Sequence, residues 1–398
     1  MMRHTTYILS AIATLAVLAG CTKPDTPESA SVLPIASQQP IEFGASTPQT
    51  KGMPEIYTLE RLAAQRFSVS AWYTPDGETF GAGSTHYLAN RQFGTLDKTG
   101  FSLWQGTTGS GVSEAADPAY YPLDGTLSFF CYAPYRDDVT DASDVNIIPN
   151  PDAAITTHLT DYLPGSPLIR FTPKASSSGQ IDFIAATPVL DVTRTGSAIP
   201  LDFTNHLTTQ LRFYVNYIGS MNAEEGAKIS QIIIRDVIGS EYLYFTEAAG
   251  GTLGFDWCST ISPEDGGAVM PKASYTLAGN ALQDVFLKRR DDSTPEKLEE
   301  SYTFVNYTTN GITYLLPQAI PAGAQLEVTY VIQNTTTELN LDENVVTCSL
   351  PATPWPQGRI VRYNITINIP ARQVVNITTS IEPWSDAGNS HSPEELMY

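Results

Sequence analysis

Gly358-Arg-Ile-Val-Arg-Tyr-Asn-Ile-Thr-Ile-Asn-Ile369 decides the fold. Val361, Tyr363, Ile365, Ile367 and Ile369 fall on one face of an extended chain, and Arg362, Asn364, Thr366 and Asn368 fall on the other. A period of two belongs to a strand, because successive side chains leave the backbone on opposite sides. An alternation this long places one face on a core and the other in water, which predicts antiparallel sheets rather than strand–helix–strand crossovers.

The same pattern recurs upstream. Leu326, Val328, Tyr330 and Ile332 alternate with polar neighbours, and Leu211, Phe213, Val215 and Tyr217 alternate with Arg212, Tyr214 and Asn216. Phe67, Val69 and Ala71 alternate with Ser68, Ser70 and Trp72, whereas Leu127-Ser-Phe-Phe-Cys-Tyr132 is apolar enough for a strand buried on both faces. Ile41, Phe43 and Ala45 mark a short first strand, and Val375, Ile377 and Ile381 mark a last one. Turn residues separate these runs: Pro75-Asp-Gly77, Asp124-Gly125, Pro271 and Pro321-Ala-Gly323. Helical signals are confined to single turns at Ala223–Ala227 and Thr294–Ser301, and Thr47–Gln65 reads as a polar connection. The fold class is all-β, with two β-sandwich domains at 41–200 and 201–398, a length that suits two ordinary domains.

The N-terminus reads as an export signal over residues 1–20. Arg3 and His4 precede an apolar run, Ile8–Leu18, too short to span a bilayer comfortably, and Leu18-Ala-Gly-Cys21 follows. That order resembles the bacterial lipobox, which implies cleavage before Cys21 and lipid on it. Residues 21–40, rich in Pro, Ser, Thr and Ala, are expected to form a flexible stalk. The expected location is the outer membrane, exposed at the cell surface. Lys and Arg number 22 against 42 acids, a net charge of −20, which excludes nucleic acid and anionic surfaces as partners by repulsion. Cys131, Cys258 and Cys348 are widely spaced, form no Cys-x-x-Cys, and are expected to be small buried residues.

Catalytic constellations are missing from the pattern. His86, His158, His206 and His391 are scattered, with no His-x-x-x-His, no Gly-x-Ser-x-Gly and no phosphate loop, so the chain is not expected to be an enzyme or to carry a cofactor. Asp137, Asp138, Asp141 and Asp144 offer hard oxygens to calcium but lack the calcium-loop order, and are expected to be a solvated acidic loop. Trp72, Trp104, Trp257 and Trp355 are the candidates for a sugar platform. They support an alternative reading as a permanently anchored lipoprotein that binds glycan or peptide.

Several stretches in order resemble the fimbrillin (type V pilin) family of Bacteroidales bacteria. They are Ile41-Glu-Phe43 with Thr50-Lys-Gly52, Tyr121-Pro-Leu-Asp-Gly-Thr-Leu-Ser-Phe-Phe130 with Tyr132-Ala-Pro134, Gln180-Ile-Asp-Phe183, Leu201-Asp-Phe-Thr-Asn-His-Leu207, and Tyr363-Asn-Ile-Thr-Ile367 leading to Ile381-Glu-Pro-Trp384. The resemblance implies two transthyretin-like sandwiches exported as a lipoprotein and cut by a trypsin-like protease after a basic residue that follows the first strand. That strand then leaves, and a C-terminal strand of another fimbrial subunit fills its groove. The basic candidates are Arg61, Lys51 and Arg66. Arg61 is favoured, since a cut there leaves a short lead into Phe67. Residues 372–382 either serve as donor or pair in place with 359–369, and the role as shaft, tip or anchor stays open, as does any surface ligand for adhesion.

Overall fold

The computed structural model describes residues 39–46, 59–96, 100–103, 118–136, 144–258, 270–290, 301–306, 308 and 311–384. The signal, Cys21, the stalk up to residue 38, Lys51, Trp104, Asp137, Asp138, Asp141 and most of the 294–301 turn lie outside the described residues.

The protein is all-β, as the alternation predicts. Strands are numbered here in chain order. A nine-stranded sheet runs β10 (Ile199–Asp202), β1 (Phe43–Ser46), β4 (Phe101–Leu103), β3 (Thr85–Leu96), β2 (Phe67–Thr74), β5 (Thr126–Ala133), β8 (Ile184–Ala185) and β11 (Asn205–His206), with β9 (Val189–Val192) also on β5. Phe43 on β1 lies 5.3 Å from Phe129 on β5 although three strands separate them in the sheet. The sheet therefore curls on itself around a core that includes Phe67, Phe93, Phe101, Ile199 and Phe203. The other side of β2 and β5 carries Trp72, Phe130 and Tyr132, packed against a four-stranded sheet of β15 (Thr252–Trp257), β14 (Glu241–Ala248), β7 (Leu168–Phe171) and β6 (Val145–Ile148). This double cover explains why β5 reads as continuously apolar: seven of its eight residues are buried.

The C-terminal part is a sandwich. One layer is β16 (Lys272–Ala278), β13 (Glu225–Ile238), β20 (Gln325–Asn334) and β21 (Asn340–Ser349). The other is β17 (Lys288–Arg289), β12 (Thr209–Ile218), β22 (Arg359–Asn368) and β23 (Gln373–Pro383), with β18 (Thr303–Phe304) and β19 (Thr313–Leu315) also on β12. Between them lie Leu211, Phe213, Val215, Ile232, Ile234, Val328, Tyr330, Val361, Tyr363, Ile365 and Ile367. The inward sides of β12, β20 and β22 are those the alternation assigns.

Three details depart from the sequence reading. β22 pairs antiparallel with β23 but parallel with β12, and β1–β10 and β12–β17 are parallel too. Alternation settles which face is buried and carries no information about a neighbour's direction. The polar face of β22 is also not open to water, since Asn364 is 9% exposed and Thr366 0%. Cross-strand stacking closes it: the Arg362 guanidinium lies 3.9 Å from the Tyr214 ring centre, and Tyr214 stacks on Phe304 at 4.5 Å. The turn expected at Ala223–Ala227 is instead the start of β13, where Glu225 and Gly226 join a ladder to Asn334 and Gln333. Pro200 lies inside β10, and the sheet β6–β7–β14–β15 draws its strands from residues 145–171 and 241–257.

Candidate functional site

β1 is a short strand inserted into a slot. It pairs parallel with β10 over Phe43–Ser46 and antiparallel with β4 through Phe43–Phe101. Just before it, the Ile41 N–H donates to the Ala119 carbonyl at 2.8 Å and the Tyr121 N–H to the Gln39 carbonyl at 2.9 Å. Phe43 is 0% exposed at the centre of an aromatic cluster, edge-on to Phe93 at 4.9 Å, Phe129 at 5.3 Å and Phe67 at 6.1 Å. Gly100 makes the approach feasible. Its φ is +147°, and a Cβ there would fall 2.4 Å from the Phe43 carbonyl oxygen.

Without β1, β10 and β4 would each lose a partner edge, and the core would lose Ile41 and Phe43. Burying those two side chains contributes about 1.5–3 kcal/mol each. The unpaired backbone groups would favour any replacement strand.

The processing candidates fall in unlike surroundings. Lys51 lies in the segment outside the described residues. Arg61, read from sequence as part of a polar loop, sits instead in a helix, α1 (Leu59–Gln65), anchored by the fully buried Leu62. Leu59-Glu-Arg-Leu-Ala-Ala-Gln65 consists of strong helix formers, with Glu60 in the first turn, and that was the overlooked signal. Arg66 ends the helix in the left-handed region at φ 61°, its N–H donating to Leu62 O at 2.7 Å while its carbonyl accepts from Tyr135 N–H at 3.0 Å. Proteases need an extended chain, so a cut at Arg61 requires α1 to open, and a cut at Arg66 requires that cap to break.

At the other end, β23 pairs in place with β22 along its length, Gln373 with Asn368 through Pro383 with Arg359. None of its residues is fully buried, and Val375 and Ile381 are 42% and 46% exposed. The chain then enters a stack of rings: Trp384 lies 4.2 Å from His206 and 5.9 Å from Tyr314, both nearly parallel at 21°. His206 Nδ1 bonds Asp182 Oδ1 at 2.9 Å. From sequence His206 is one of the scattered histidines and part of the Leu201–Leu207 stretch, and nothing local ties it to a residue 178 positions away.

Three of the four sugar-platform tryptophans are core residues. Trp72, Trp257 and Trp355 are 1%, 2% and 1% exposed. Trp355 Nε1 donates to Tyr363 Oη at 2.7 Å and Trp257 Nε1 to Leu207 O at 3.1 Å. Of the acidic cluster, Asp144 is buried and paired with Arg136 at 3.3 Å. Cys131 and Cys258 are buried and Cys348 half-buried, all as free thiols, and burial pushes the Cys258 thiol up to about 12. Among the described residues no group of three or more His, Cys, Asp or Glu is placed to hold a metal ion, and no helix is long and apolar enough to cross a membrane.

Residues 63–241 match the family described as fimbrillin-like. Comparison with curated proteins gives no match. Among solved structures, a fimbrial protein from Bacteroides vulgatus is similar at 15% identity and TM-score 0.54, covering 86% of this chain and 99% of that one. Two others are described as putative cell adhesion proteins, from Bacteroides ovatus and Bacteroides uniformis. Each is 14% identical with a TM-score of 0.40; the first covers 87% of this chain and 98% of its own, the second 89% and 100%. Only the first is close enough to argue from, and at that identity what it shares is the fold. Residues 63–241 are thus similar to the fimbrillin-like family, and the fold of the chain is similar to that of a solved fimbrial protein.

Proposed function

We propose that this protein is a structural subunit of a surface fimbrium that supports adhesion, and that it assembles by exchanging β1 for a strand of a neighbouring subunit. In this reading it is exported, lipidated on Cys21 and held at the outer membrane until a protease cuts after Lys51, Arg61 or Arg66. This reading takes two domains, 41–200 and 201–398, with β1 in the first.

One observation carries the reading. A fully buried ring of the first core, Phe43, belongs to the first described strand, joined to α1 only through residues 47–58. A core normally draws its central residues from strands that the chain enters and leaves. Here a single cut downstream frees the strand from the rest of the fold, leaving a slot lined by Phe67, Phe93 and Phe129. An incoming strand with one large apolar side chain restores both the ladder and the burial.

Treatment of the purified chain with an arginine- and lysine-specific protease tests this. Loss of residues 21–46 followed by polymer formation is the expected result. Removal of the strand with the protein persisting as a folded monomer at high concentration would refute the shaft role.

A further inference from the structure

β23 is held by its ladder to β22 and is anchored besides at both ends. It is the last strand of its layer, with β22 as its one ladder partner. Towards the core it offers only the half-buried Val374 and Ile377. Its start is fixed by a tight turn: Arg372 has φ 52° and its N–H donates to Ile369 O at 3.2 Å, the Ala371 N–H donates to Asn368 Oδ1 at 3.0 Å, and the Arg372 guanidinium reaches Asp342 at 2.9 Å. Its end is fixed by Trp384.

The socket for Trp384 is built from elements outside the β22–β23 hairpin. His206 belongs to β11 and is held by Asp182 beside β8, both at the end of the nine-stranded sheet. Tyr314 belongs to β19, paired to Gln210 of β12, and its N–H donates to Gln180 Oε1 at 2.9 Å. The indole thus ties the C-terminal strand to the far sheet. The attachment is apolar only, for Trp384 Nε1 is buried without a hydrogen-bond partner. A buried N–H left unpaired makes the closed state less favourable than its stacking alone implies. A cleft of about 340 Å³, lined by Thr204, Asn205, Gln357 and Arg359, opens beside the ring and gives it a way out.

We propose that Trp384 is a releasable latch and that β23 leaves β22 as a unit once the indole leaves the His206–Tyr314 socket. Release bares the edge of Arg359–Asn368 and frees an eleven-residue strand to pair with a second copy of this chain. The latch stands on the geometry alone, and only its use in assembly rests on the function proposed above.

Hydrogen exchange on the uncut chain tests the latch without any polymer. Trp384→Ala is expected to speed exchange of the β23 amides, and of their β22 partners, by about tenfold or more, since stacked aromatic pairs and a large buried ring hold it shut. Amides of β13 and β20 should be unchanged. Trp384→Phe should restore most of the protection, and His206→Ala should reproduce the loss from the other side of the stack. Unchanged β23 protection in both alanine variants would overturn the proposal, as would a loss spread evenly over the whole sandwich. Polymer yield of the same variants after protease treatment is a separate readout. Faster β23 exchange without any polymer would sink the assembly role and leave the latch intact.

Discussion

Phe43 lets one side chain report on a whole strand. Its ring meets Phe67, Phe93 and Phe129 edge-on, so Phe43→Ala is expected to lower the stability of the uncut protein by about 3–5 kcal/mol. Denaturant unfolding of the parent and variant proteins measures it. Glu241 carries a different message. It is fully buried, both carboxylate oxygens lack hydrogen-bond partners, and burial, then the nearby Asp256, raise its pKa from 4.5 to about 8. A folded pKa raised above the unfolded one means the stabilisation is fully present below about 4.5 and is lost as pH climbs through about 8. Stability should therefore decline between those values by an amount on the order of a few kcal/mol, and Glu241→Gln should flatten the decline. Thermal unfolding at pH 5 and pH 9 would show it; an equal pH dependence in the variant would contradict the assignment.

Among the elements, α1 carries Arg61, one of the proposed processing sites. Leu62→Ala removes the side chain that pins the helix and is expected to speed cleavage after Arg61 severalfold, with little effect on cleavage after Lys51. Timed digestion followed by mass spectrometry distinguishes the two, and equal acceleration at both would mean that α1 does not guard Arg61. Gly100→Ala should weaken the seating of β1, because the added methyl meets the Phe43 carbonyl. Faster proteolytic release of β1 in that variant is the expected sign. Strands such as β2, β5, β12, β20 and β22 were legible because each shows a clean period or a continuous apolar run. β13 was not, since its Ile232-Ile-Ile234 run and its irregular registers against β16 and β20 break the alternation. β21 was hidden for another reason: as an edge strand it exposes Leu341 and Val345 and turns Asn344 inward, inverting the usual code. The candidate site was half legible. The first strand and its basic neighbours could be read locally, whereas the Trp384 socket joins residues 182, 206, 314 and 384, which no local pattern connects.

On the scale of the molecule, the first and last described strands each hold to the fold at a sheet edge or slot. β1 is tied to the fold by a slot, and β23 by a ladder on one edge plus one ring stack, while the sheets between them share continuous cores. The proposed assembly uses that arrangement: β1 leaves and a strand of another copy takes its place. The decisive measurement is mass spectrometry of fimbriae stripped from the cell surface, asking whether residues 41–46 remain in the assembled subunit. Their absence, with a subunit N-terminus just after Lys51, Arg61 or Arg66, is the expected result. Their presence in stoichiometric amount would contradict strand replacement.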